Sequence, residues 1–366
     1  MSGTKPDIIV IGAGVVGLLS ARELARAGHS VLVLERGLAG RGASRAAAGV
    51  LTALYPWRCS APLVALSHWS QRIYPVLADD IRRETGIDPE FTSSGMLVFD
   101  EEDKGPAEAW ARYNAQPIDN VKADDLRHLE PALSIFPRPA IFLPTVAHLQ
   151  SSQFMRALQE SVFNQGVPIR QEVEVLDLIA ADNKVIGVRT GEGELFADRI
   201  VVAAGAWSAQ VVAGLGIELP VKPIRGQMIL FGGPPGLITR ILLEKDRYIV
   251  SRRNGNILVG STAEDVGFSK DVTKEALDEL TEAAKLMLPL LEGAAIQRQW
   301  SGLRPASADG LPYIGPHPEI EGLYFNTGHF RHGITTAPAS ARLLSDLISG
   351  HSPILDPTPY ALERIG

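Results

Sequence analysis

The sequence predicts an α/β fold that opens with a parallel βαβ unit and becomes α+β over its 366 residues. Three observations predict it. The β-branched apolar run Asp7 to Ile11 suits a strand buried on both faces. Val15 to Ala27 repeats apolar residues at helical spacing, and Gly28 stops it. Tyr248 to Ser251 and Ile257 to Gly260, joined through Asn254-Gly255, read as an antiparallel hairpin.

The remaining elements follow in order. His29 to Leu34 is a second strand ended by Glu35, which completes the first unit. The small-residue loop Gly37 to Val50 leads to a helix from Ser60 to Thr85. Gly86 to Pro144 is irregular and rich in proline and acidic residues. A helix from Ser151 to Gln165 stops at Gly166, and strands follow at Ile169 to Leu178, Val185 to Arg189 and Arg199 to Ala203. Val221 to Phe231 is another strand. A helix from Thr273 to Leu288 sets Leu277, Leu280, Ala284 and Met287 on one face, and a last helix runs from Ile334 to Ser349. No internal repeat or low-complexity linker separates these parts. Two interleaved domains are therefore expected: residues 1–85, 145–220 and 300–366 in one, 86–144 and 221–299 in the other.

Composition narrows the function. The chain is 45% apolar and 21% charged, with a net charge of −7 and no basic block, which argues against nucleic acid or an anionic membrane as partner. A single cysteine, Cys59, excludes a disulfide framework, a paired-cysteine redox centre and a multi-cysteine metal site. No other metal-ligand cluster is evident. A reducing compartment is expected, and the absence of a signal-peptide pattern or an uncharged membrane-length run makes the reading cytoplasmic.

Gly12-Ala13-Gly14-Val15-Val16-Gly17 is a G-x-G-x-x-G with a strand before it and a helix after it. Gly12 permits the tight turn, Gly14 lets the backbone approach a pyrophosphate, and Gly17 allows close packing of helix on strand. Helical N–H groups and the helix dipole then favour phosphate. Glu35 ends the second strand, where a carboxylate meets ribose hydroxyls. A ligand-free glycine turn would leave that acid unexplained. No second fingerprint follows, and Asp198 to Trp207 is another strand ending in small residues, able to approach a bound cofactor closely. Later segments are expected to rejoin the first sheet around a long cofactor. FAD is favoured over NAD.

The fingerprint with Glu35, the loop Ser44 to Val50, Val201-Val-Ala-Ala-Gly-Ala-Trp-Ser208, Trp300-Ser-Gly-Leu-Arg-Pro-Ala-Ser-Ala-Asp-Gly-Leu-Pro-Tyr-Ile-Gly315 and Gly328-His-Phe-Arg-His-Gly-Ile-Thr-Thr-Ala-Pro338 occur in one order. Together they resemble the FAD-dependent D-amino-acid oxidase family over nearly the whole chain. Chain length and the last two motifs are most similar to its glycine-oxidising bacterial branch, which serves thiamine-thiazole synthesis. The resemblance implies a glutathione-reductase-type FAD-binding Rossmann domain with an interleaved antiparallel substrate sheet. It implies FAD contacts from Val15, Val16, Glu35, Arg36, Ser44, Ala48, Gly49 and Val50, and an adenine contact from the backbone of Val175. His329, Phe330, Arg331, His332, Gly333, Ile334 and Thr335 would present helix N-terminal amides to the flavin. That run lacks the cysteine by which some related sarcosine oxidases attach FAD, so non-covalent binding is expected, as is a homo-oligomer, with a tetramer as one form.

Arg304 stands between Leu303 and Pro305 in a stretch of apolar and small residues. A guanidinium stays charged and is costly to bury without an anion, and its planar fork suits a carboxylate. In the resembling family this arginine binds the substrate carboxylate, Tyr248 matches a tyrosine bonded to the same group, and Arg331 is expected near substrate or flavin. The plainer readings are an Arg304 ion pair with an acid such as Asp309, an ordinary strand tyrosine, and a structural cap. His329 and His332 are read as backbone-positioning or solvent-facing. No acid–base pair or nucleophile set is evident, which fits hydride transfer from an amino acid to flavin, a reaction of positioning rather than of a strong base. Oxygen would then reoxidise the flavin to give hydrogen peroxide. Ala263 and Val50 are expected to leave room for substrates larger than glycine. The alternatives are a D-amino-acid dehydrogenase with a quinone acceptor, an NAD(P)H-dependent flavin monooxygenase or reductase, and a non-catalytic FAD-binding subunit.

Overall fold

The computed structural model describes residues 5–133 and 138–365. Residues 1–4, 134–137 and 366, which the expected domain ranges include, lie outside it. Six strands form a sheet in the order Tyr313–Pro316, Leu323–Thr327, Arg199–Val202, Ile8–Ile11, Val31–Glu35, Ile169–Gln171. All neighbours are parallel except Tyr313–Pro316 on Leu323–Thr327. Ile8 aligns with both Arg199 and Val31. The late segments do rejoin the first sheet.

The first strand shows how its sequence builds two layers. Successive side chains point to opposite faces, so Ile8 and Val10 pack among helix residues while Ile9 and Ile11 join a second cluster with Leu178, Val185 and Val188. On the first side lie helices Val15–Arg26, Ala61–Thr85, Ser151–Asn164 and Gly333–Ser349. On the other lies a three-stranded sheet, Val175–Ala181, Lys184–Thr190 and Gly193–Phe196. Full burial of each such isoleucine stabilises the sheet by about 1.5–3 kcal/mol.

A second sheet of eight strands runs Ile296–Ser307, Val221–Phe231, Ile257–Gly260, Arg247–Ser251, Ile241–Glu244, Met96–Val98, Ala140–Leu143, Asp119–Val121. It is antiparallel apart from Ile241–Glu244 against Met96–Val98. One face carries Ile229, Ile249 and Val259 against Leu280, Ala284 and Met287 of helix Lys274–Met287. Thr273 caps that helix, its hydroxyl accepting from the Ala276 N–H at 3.3 Å. The opposite face presents Met228, Tyr248 and Val250. No helix of the described residues is long and apolar enough to cross a membrane.

Four expectations need correction. The single strand expected over Ile169 to Leu178 breaks at Glu172, whose φ is +59°, so Ile169–Gln171 and Val175–Ala181 join different sheets. The region read as irregular holds helix Lys104–Asn114 and three short strands. The hairpin turn spans Arg252 to Asn256, closed by Gly255 N–H donating to Arg252 O at 2.9 Å. Last, the expected elements leave out the long strand Ile296–Ser307, which carries Arg304.

Candidate active site

A cavity of about 430 Å³ opens where the carboxyl ends of the parallel strands meet the Tyr248 face of the antiparallel sheet. Ligands in such sheets bind at the strand ends. Glycine-turn residues and Glu35 line one part; Tyr248, Arg304 and Arg331 line another.

Gly12 takes φ +108°, and a Cβ there would stand 2.4 Å from the Ala203 carbonyl oxygen. Behind it, a Cβ on Gly17 would meet the Gly12 oxygen at 1.9 Å. Gly17 therefore shapes the turn without lining the cavity. Gly14, Val15, Val16 and Arg36 line it, as do Ser44, Ala48, Gly49, Val50 and Val175. The Val15 N–H donates to Ser44 Oγ at 2.9 Å. Glu35 accepts from Ala13 N–H at 2.8 Å and from Gly37 N–H at 3.0 Å, so it also holds the glycine turn. A cradle that excludes Cβ atoms, a helix N-terminus whose N-cap residue, Gly14, has no side chain, and a carboxylate beside it fit a dinucleotide.

A second helix N-terminus enters from the far end of the chain. His329 to Ile334 line the cavity ahead of helix Gly333–Ser349. Thr335 does not line it; its hydroxyl donates to Val50 O at 3.1 Å and so ties that loop down. Of the two readings of His329 and His332, backbone-positioning or solvent-facing, the second is overturned, because both are buried. His329 lies 2.9 Å from Asn326 Oδ1 and from Thr336 Oγ1. Burial pulls its pKa down to about 3 and that of His332 to about 4, with neighbouring positive charge adding to both. Both rings are neutral.

Arg304 donates to Thr262 O and to Ser261 Oγ, each at 2.8 Å. No carboxylate of the described residues lies within ion-pair distance of it. The suspected partner Asp309 is held by Arg364, with Nε at 2.9 Å. Burial lowers the Arg304 pKa, as do Arg331 and Arg247, against an opposing contribution from Tyr248. An anion in the cavity would relieve that. Tyr248 is buried and lines the same space. Arg331 reaches Asp246 through a long 3.4 Å contact, and its buried Nε has no partner.

Sequence reasoning misplaced one wall. Ala263 is exposed and does not line the cavity; Met228, Ser261 and Leu54 do. It also missed Gly226, where a Cβ would stand 2.0 Å from Arg304 Nη2. The signal was there: a glycine inside the strand Val221–Phe231 marks close approach. Trp207, which sequence reasoning noted only as part of a motif, also lines the cavity.

The family model for FAD-dependent oxidoreductases matches residues 7–347. The glycine oxidase of Pseudomonas aeruginosa is 43% identical, over 97% of this chain and 98% of its own. That of Pseudomonas putida is 41% identical, over 98% and 99%. The crystal structure of glycine oxidase from Geobacillus kaustophilus superposes with a TM-score of 0.92 at 30% identity, covering 98% of this chain and 99% of that one. By the family model over most of its length and by these relatives, the chain belongs to the FAD-dependent oxidoreductases of the D-amino-acid oxidase family, as an FAD-dependent amino-acid oxidase of the glycine-oxidase branch.

Proposed function

We propose that the chain oxidises glycine and other small primary or secondary amino acids, including sarcosine and small D-amino acids. The products are an imine, which hydrolyses to the 2-oxo acid and ammonia or amine, and hydrogen peroxide from oxygen. The observation that carries this reading is Arg304: a guanidinium in the cavity, beside Tyr248, with no carboxylate of the described residues paired to it. Its fork would take the substrate carboxylate bidentately while the Tyr248 hydroxyl donates to the same group. FAD, when bound, would supply a two-electron acceptor for the hydride of the substrate α-carbon, with oxygen as the terminal acceptor.

The chain's own residues supply binding and orientation. Glu35 and Glu174, the acids lining the cavity, lie among the dinucleotide-end residues, and the two histidines near the other end are neutral. No side chain there is a strong base, so the reading requires a substrate amine that reacts in its neutral form. Amides of Gly14, Val15 and Val16 with Ser44 would hold the pyrophosphate, Glu35 and Arg36 the ribose, Val175 the adenine, and the run His329 to Ile334 the ring, without a covalent link, with Thr335 fixing the Val50 loop from behind. The N-terminus of helix Gly333–Ser349 favours negative charge at that ring. The same reading divides the chain into an FAD-binding domain of 1–85, 145–220 and 300–366 and a substrate domain of 86–144 and 221–299. It makes the protein a cytoplasmic homo-oligomer whose product serves thiamine-thiazole synthesis.

Anaerobic mixing with glycine, sarcosine and D-alanine tests it. Each should bleach the yellow absorbance, and air should restore it with stoichiometric peroxide. Bleaching by none of the three would overturn the substrate assignment.

A further inference from the structure

Between the two sheets, at the cavity rim, stands a cluster in which Trp207, Phe268 and Lys270, residues given no role above, gather on Arg36. The guanidinium of Arg36 lies over the Trp207 ring, 3.8 Å from its centroid. The Lys270 ammonium is 5.1 Å from the same ring, and the Phe268 ring is 5.4 Å away at a tilt of 31°. Arg36 and Trp207 follow strands of the parallel sheet and both line the cavity. Phe268 and Lys270 come from the segment after strand Ile257–Gly260 of the other sheet. Phe268 is 40% exposed, and Trp207 is the ring it packs on.

That segment is tied at both ends. Arg225, buried on strand Val221–Phe231, donates to Glu264 Oε2 at 3.2 Å through Nε and to Asp271 O at 2.8 Å through Nη1. Backbone bonds of 2.9 Å run both ways between Arg225 and Glu264. Ser301 Oγ donates to Lys270 O at 2.6 Å, and Lys222 Nζ meets Asp265 Oδ2 at 2.6 Å. A loop with pinned ends loses little entropy when its tip packs. Its apolar tip has one ring to rest on.

We propose that Trp207, with Arg36, Phe268 and Lys270, is a cross-sheet closure that retains FAD in the cavity. Trp207 is then a cofactor-retaining residue in its own right, and the segment Glu264–Asp271 its cover. A cation over an aromatic face and a close aromatic pair are each attractive contacts. Release of FAD is then coupled to this stack, because Trp207, which lines the cavity beside Arg36, also carries the contacts to Phe268 and Lys270 of the cover. The inference needs only the FAD of this family and stands whatever the amino-acid substrate is.

The experiment measures FAD release from the holoprotein, by recovery of free-flavin fluorescence after dilution, for the parent, Phe268→Ala, Trp207→Ala and Trp207→Phe. Phe268→Ala should speed release about tenfold and Trp207→Ala by more, with Trp207→Phe between parent and alanine. Because the two residues act as one unit, adding Phe268→Ala to Trp207→Ala should accelerate release less than twofold further. If Trp207→Ala does not fold, the comparison of Phe268→Ala with Phe268→Leu decides, since only the ring-keeping parent should release slowly. Release rates within twofold of the parent in folded Phe268→Ala would overturn the proposal, as would fully additive effects in the double variant.

Discussion

Gly226 and Arg304 face each other across paired strands, and the guanidinium occupies the space a side chain at Gly226 would fill. An added Cβ would stand 2.0 Å from Nη2, 2.2 Å from Cζ and 2.3 Å from Nη1. Ile224 pairs with Arg304 and Gly226 with Gly302 in the same register, so the arginine folds back across its neighbour. The missing side chain at 226 is what lets the fork lie against the sheet and present itself to the cavity.

Gly226→Ala should therefore displace Arg304 while leaving the dinucleotide end intact. Overpacking of this kind costs about 1–3 kcal/mol, which predicts a loss of about ten- to a hundredfold in kcat/KM for glycine. FAD content should be that of the parent. A variant with parental KM and kcat would show that the guanidinium can lie elsewhere and still work.

Arg304→Ala should give a folded, yellow protein that no longer handles amino acids. Removing one partner of a buried charge pair costs about 3–5 kcal/mol, or roughly two to four decades in kcat/KM. Arg304→Lys should restore only part, because a point charge lacks the fork. Benzoate should perturb the flavin spectrum of the parent and not of the alanine variant. Glycine oxidation at nearly the parental rate would make Arg304 structural.

Glu35→Ala should weaken FAD binding far more than it changes the glycine KM of the FAD-saturated enzyme. Loss of charge-assisted bonds worth about 1.5–3 kcal/mol raises the FAD dissociation constant about ten- to a hundredfold. Because the carboxylate also accepts from Ala13 and Gly37, Glu35→Gln should recover only a fraction. Titration of apoprotein with FAD is the measurement, and an unchanged constant removes Glu35 from the site.

FAD should leave the protein on acid precipitation, since no cysteine lies in the run His329 to Thr335. Flavin that sediments with the denatured chain would reveal a covalent bond.

Three buried histidines set a pH dependence of stability. His148 and His329 have pKa values pulled down to about 3 and His332 to about 4, chiefly by burial. Folded-state values below the unfolded one mean that the unfolded chain binds more protons between them. Stability is then complete above about pH 6.5 and is lost as pH falls toward those depressed values. Each group contributes a slope of up to about 1.4 kcal/mol per pH unit. Tm should fall from pH 6.5 to 4.5, before most carboxylates protonate, and His148→Gln should flatten the slope by about a third. A flat profile in the parent contradicts the buried neutral assignment.

The dinucleotide end was legible because its chemistry is local. Strand, glycine turn, helix and terminal acid lie within residues 7–35, and periodicity alone sets them in order. The substrate end was legible in part. Arg304 was conspicuous by its neighbours, but its strand was not, because Gly302 and Pro305 interrupt the alternation that marks a strand. The sheet tolerates Pro305 at its edge, opposite Pro223, where neither needs to donate. Ala263 was misplaced for a related reason. The chain leaves strand Ile257–Gly260 just before it, and no periodicity says which way a side chain turns beyond a strand end. The Trp207 cluster joins residues 171 positions apart, from Arg36 to Trp207, and such pairings carry no short-range signal.

The packing of helix Val15–Arg26 on helix Gly333–Ser349 bears on how the protein is made. The centre of the parallel sheet waits for Arg199–Val202, and the second helix N-terminus at the cavity waits for Gly333. At ribosomal speeds the glycine turn emerges roughly tens of seconds before the residues that complete its pocket. The pocket at the glycine turn is thus complete only once the chain has been made through Ile334.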